Sequence, residues 1–149
     1  MSWRQLLASK RVQKHATTRQ ELDELRAVIA RDLKDAALPL LSSDRRFATA
    51  YNAALQLSKM AIACAGYRIA VGAGHHQTTF VAVKLIALGK NSSKLADYFD
   101  TCRRKRNILD YDAANVTSDT EANELLKKAE EFQGLVDAWI RKNYANLAP

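Results

Sequence analysis

Among 149 residues, those best suited to chemistry stand together in LADYFDTCRRKRNILDYD, which begins at Leu95. Arg103, Arg104, Lys105 and Arg106 are four consecutive bases, followed by Asn107 and, four residues on, Tyr111. On a helix, Leu95, Phe99, Cys102 and Leu109 share a sector about 80° wide, the face that meets a core. Arg106 falls in that same sector, about 20° from Leu95, while Arg104 points the opposite way with Asp97, Asp100, Asn107 and Tyr111. An arginine on an apolar stripe is costly unless its guanidinium is paired or emerges into a cleft. Arg106 therefore reads as a half-buried, positioned cation, either lining a cleft with Asn107 and Tyr111 that receives phosphate, or satisfied by a carboxylate of another helix. Arg104 and Asp100, spaced i, i+4, can pair on the polar face.

Three further residues are candidates to face the same cleft. His75 and His76 follow Gly74 in a predicted loop, where they either bring an imidazole to the cleft or simply open the next helix. Arg68 ends the helix before that loop. It either joins His76 at the cleft or serves as a cation at a helix C-terminus. Tyr51, mid-helix on an apolar stripe, reads as core with its hydroxyl satisfied. Neighbouring histidines without a nearby Cys or carboxylate cluster make a poor chelate, so no metal site is expected. The chain shows no Gly-rich phosphate loop, nucleophile elbow or Cys-x-x-Cys pair, and no cofactor is expected. Cys64 and Cys102 read as reduced, buried thiols.

Charge points to a partner. The formal net charge is +7, and residues 45–96 hold seven bases and no acid. Residues 1–20 hold five more bases, again with no acid. A long acid-free stretch fits a surface facing a polyanion, such as nucleic acid. It also fits a face for an acidic protein, or a merely solvated one. A helix-turn-helix DNA reader is disfavoured, because no short turn joins a helix pair.

Helices must position these groups. Hydrophobic residues are 48% and charged residues 26% of the chain, with only five Gly and two Pro, which disfavours a turn-dense β fold. Residues 1–17 read as a basic N-terminal arm with one short helix over Trp3 to Ala8, and residues 18–149 as a single helical domain. Thr18 with Glu21, and Ser118 with Glu121, are capping boxes that open two long helices. Pro39 stops the first. Ser42 or Ser43 caps an Ala-rich helix that runs to between Gly66 and Ala70. A shorter helix covers about Gln77 to Leu88, and Ser92 or Ser93 caps the helix of the four bases. No segment alternates with period 2, so no sheet is expected. The fold class is all-α: an antiparallel bundle of four long helices and one shorter one. The N-terminus lacks a signal peptide's apolar region and the apolar stretch Ala53 to Gly74 is broken by charges, which implies a cytoplasmic protein.

Arg106-Asn107 followed by Tyr111, near the end of a bundle helix, resembles the signature of the HEPN family. The wider stretches YFDTCRRKRNILDYD and DRRFATAYNAALQLSKMAIACAGYR resemble an uncharacterised bacterial subfamily of it, so the resemblance covers roughly residues 18–142. HEPN domains are small, mostly homodimeric helical bundles. Many are metal-independent ribonucleases of toxin–antitoxin, defence and RNA-processing systems. The family motif is an Arg, often followed by Asn, then His after four to six residues. Arg106 and Asn107 match it, and Tyr111 stands where the His belongs. The resemblance implies Arg106, Asn107 and Tyr111 as the catalytic set, with Arg68, His76, Arg103, Arg104 and Lys105 holding RNA. A Tyr, with pKa about 10, is a poor general base at neutral pH, though it can donate to phosphate or stack on a base. The alternative is a non-catalytic module that docks a nucleotidyltransferase-type antitoxin or binds a nucleotide.

Overall fold

The computed structural model describes residues 1–111 and 113–149; of Asp110 and Tyr111 it describes the backbone alone. Helix α1 spans Trp3–Ala8 and strand β1 Val12–Lys14. Then come α2 (Arg19–Ala36), α3 (Ser43–Cys64), strand β2 (Tyr67–Ile69), α4 (His75–Val83), α5 (Lys90–Tyr111) and α6 (Asp119–Asn143). A single 3-10 turn, Ala145–Leu147, follows. The all-α class holds, with one addition.

Helix α3 is the centre, packing against α2, α4, α5 and α6. Its alanines make this feasible: Ala50, Ala53, Ala54 and Ala61 are fully buried and leave room for neighbouring backbones. Phe80, Phe99 and Phe132 join α4, α5 and α6 in one aromatic chain, with centroids 6.0 and 5.4 Å apart. Caps set the ends. Ser42 Oγ accepts from the Arg45 amide and opens α3. Ser118 and Glu121 form the full reciprocal box on α6. At α2 only half the expected box forms: Thr18 accepts from the Glu21 amide, but the Glu21 carboxylate turns away to His15 (2.7 Å) and Thr17 (3.0 Å).

The addition is a two-stranded antiparallel sheet in which Val12 faces Ile69 and Lys14 faces Tyr67. Strands of three residues are too short to display an alternating pattern, and their pairing joins segments more than fifty residues apart. The sheet corrects the reading of residues around Arg68. Helix α3 stops at Cys64, its end marked by Gly66 at φ +97°, and Arg68 lies on β2 rather than on a helix end. Residues 1–17 are built into the same body. Leu6 and Val12 are buried, and Trp3 stacks flat on Tyr67 at 4.2 Å.

Candidate nucleic-acid interface

The candidate site lies where α3, α4 and α5 meet. Gly72 and Gly74 adopt positive φ, and Gly74 at +74° serves as the left-handed N-cap of α4. An L side chain there would be strained, so glycine sets where α4 starts. Its first two residues are therefore His75 and His76. The His75 ring donates from Nδ1 to the Gly72 carbonyl, 2.9 Å away, and stands edge-on to His76 at 4.3 Å. Within α4, Thr79 Oγ1 donates back to the His75 carbonyl.

His76 is held from below by α3. Its Nδ1 lies 3.1 Å from Tyr51 Oη. The Tyr51 ring is fully buried and packs edge-on to Phe80 at 5.9 Å. Burial drives the Tyr51 pKa above its ordinary value, so the hydroxyl keeps its proton. The hydrogen bond between that hydroxyl and His76 Nδ1 fixes the orientation of the imidazole ring. Burial and the charges of His75, Arg106, Lys59 and Arg103 push the His76 pKa down to about 4. The imidazole is thus neutral at pH 7.

Arg106 completes the arrangement. Its guanidinium carbon sits 5.9 Å from the centre of the Tyr51 ring, a cation–π contact that fixes a half-buried side chain. Arg106 and His76 thus both rest on Tyr51, which brings an oriented cation and a neutral imidazole to one side chain. Such a pair can hold a phosphate oxyanion through charge and hydrogen bonds.

The other expected residues divide. Arg103 donates from Nε to Asp100 at 2.9 Å, so Asp100 pairs with Arg103 and not with Arg104 as its i, i+4 spacing suggested. Spacing i, i+3 serves equally on a helix, and it keeps the pair beside Tyr51. Arg104 and Lys105 face a separate groove of about 410 Å³ floored by Phe47, Tyr98 and Ile108, and Lys105 is paired with Glu121 of α6. Asn107 is exposed. Tyr111 ends α5, and its side chain lies outside the described residues. Arg68 is exposed on β2, donates to Gln13 at 2.8 Å and borders a cavity with residues of α2 and α3 that His76 does not line.

Two features escaped the sequence reading. Tyr51 is the platform that joins Arg106 to His76, and its only sequence signal is a hydroxyl on an otherwise apolar stripe, which demands a partner. Buried Asp32 of α2 accepts from Asn52 of α3 at 2.6 Å and from Arg31 at 3.0 Å, tying the two helices together beside that platform. Cys64 and Cys102 are free and buried, as expected, and burial raises both thiols to about 11.

Among the described residues no group of three or more His, Cys, Asp or Glu is placed to hold a metal ion, and no helix is long and apolar enough to cross a membrane. Comparisons of this chain with protein-family models, with curated proteins and with solved structures find no match.

Proposed function

We propose that this chain is a HEPN-type cytoplasmic protein that binds single-stranded RNA, with the phosphate held between Arg106 and His76. The supporting observation is the shared platform: the Arg106 guanidinium over the Tyr51 ring and His76 hydrogen-bonded to the Tyr51 hydroxyl. The basic excess of the middle of the chain would guide the polyanion to it. Asn107 and Tyr111, on the same helix end, complete the contact in this reading, and a homodimer would join two such sites into one groove.

The same reading carries a reaction, cleavage by transesterification without a metal. The RNA 2′-oxygen attacks phosphorus, the 5′-oxygen leaves, and a 2′,3′-cyclic phosphate remains. Arg106 stabilises the added negative charge, and because it is already oriented little reorganisation is needed. In the intact chain the 2′-hydroxyl proton passes to solvent water, and the leaving 5′-oxygen takes a proton from solvent. In the HEPN pattern the base is a His at the position of Tyr111, so Tyr111→His should raise turnover.

Incubation of labelled single-stranded RNA with the purified chain, with and without EDTA, tests both parts. Binding with EDTA-insensitive cleavage supports the full reading. Binding without turnover, even in Tyr111→His, reduces it to an RNA-binding module of toxin–antitoxin type. Absence of RNA binding at low salt removes it in favour of a docking module for an antitoxin-like partner.

A further inference from the structure

Apart from the Arg106 site, α2, α3 and β2 enclose an open cavity of about 390 Å³. Its walls are largely apolar: Leu25 and Val28 come from α2, Ile62 and Ala63 from α3, Ile69 from β2. Lys59 enters it from α3. The side chain is half-buried, burial lowers its pKa, and no carboxylate lies within 4 Å of its ammonium group among the described residues. Glu21, on the same cavity, is already engaged by His15 and Thr17, and Glu24 sits exposed at the rim. Arg68 adds a second positive group at the edge.

A half-buried ammonium beside apolar walls has lost water without gaining a counterion, which costs free energy. An anion seated on it recovers that cost, and the walls recover more through apolar burial. We propose that this cavity binds a small organic anion, its charged group on Lys59 and its apolar body between Val28 and Ile62. The inference does not rest on RNA binding.

The dye 8-anilinonaphthalene-1-sulfonate has this chemistry, and N-phenyl-1-naphthylamine is its uncharged counterpart. The full chain should bind the sulfonate dye saturably, one per chain, and the neutral dye far more weakly. Lys59→Met should weaken the sulfonate dye about tenfold, because it removes the half-buried positive charge on the cavity. Val28→Trp, which fills the cavity from a half-exposed position, should do the same. Lys127→Met, on an exposed position of α6, should leave binding unchanged. Thermal melts of each variant would separate lost binding from lost fold. The proposal is overturned if the intact chain binds no dye saturably, if Lys59→Met and Lys127→Met behave alike, or if the neutral dye binds as tightly.

Discussion

The Tyr51 hydroxyl and His76 Nδ1 are hydrogen-bonded across 3.1 Å, and this bond couples the central helix α3 to the first turn of α4. The ring of the same tyrosine carries the guanidinium of Arg106 from α5. One buried side chain therefore sets the spacing of two groups that lie thirty residues apart in sequence.

Tyr51→Phe separates the two contacts. The ring stays under Arg106, but the His76 nitrogen loses its partner. Stability should fall by about 1 kcal/mol, the usual net loss for one hydrogen bond. RNA affinity should fall with it, since the imidazole is no longer held. Tyr51→Leu should cost more on both counts, because the platform goes as well. Urea unfolding and RNA titration of the two variants would show the order; a Phe variant equal to the intact chain would mean the hydroxyl does nothing, and equal losses in both variants would mean the ring adds nothing.

The depressed pKa of His76 makes a pH prediction. The folded protein keeps this ring neutral down to about pH 4, whereas an unfolded chain protonates it near the ordinary value of 6.5. The unfolded state thus binds more protons between those values, and stability must fall as pH drops from 6.5 towards 4. His76→Gln should flatten that part of a melting-temperature profile. An unchanged slope would show that other groups carry it. Bound phosphate offsets the cations that depress the ring, so RNA should bind more tightly at pH 5 than at pH 7.

Much of the frame was legible from periodicity and caps. The Ser118–Glu121 box that opens α6 is legible because it is a local pattern. Arg106 is half-buried, as the wheel requires, but so are Arg103 and Lys105, and what distinguishes Arg106 is its place over the Tyr51 ring. The β1–β2 pairing was not legible: two three-residue segments carry no pattern of their own, and β2 forms only because α3 stops at Cys64. The partner of Tyr51 was equally hidden. A sequence shows that a buried hydroxyl needs a partner, but only the start of α4, fixed by Gly74, shows that the partner is His76.

Assembly gives a further test. On the proposed reading the chain pairs with itself, so light scattering at tens of micromolar should report twice the 16.6 kDa of one chain. A mass of one chain at that concentration would oppose a shared groove.

Salt should act strongly on RNA binding. Each phosphate neutralised by Lys or Arg releases counterions, so the logarithm of affinity should fall linearly with the logarithm of salt. Arg106→Ala should reduce that slope by about one unit. A slope near zero would mean that phosphate is not what the protein holds.

The most direct measurement compares RNA affinity at low salt for the intact chain, Arg106→Ala, Arg104→Ala and Lys105→Ala, with circular dichroism to confirm that each is folded. Arg106 is positioned by Tyr51, whereas Arg104 and Lys105 face the groove beside α6. Arg106→Ala should weaken binding by about tenfold or more, the expected loss of an oriented charge-assisted contact. Arg104→Ala and Lys105→Ala should each weaken it only two- to threefold or so, as diffuse charges do. Equal losses from all three would contradict a site built on Tyr51 and leave only a nonspecific basic surface.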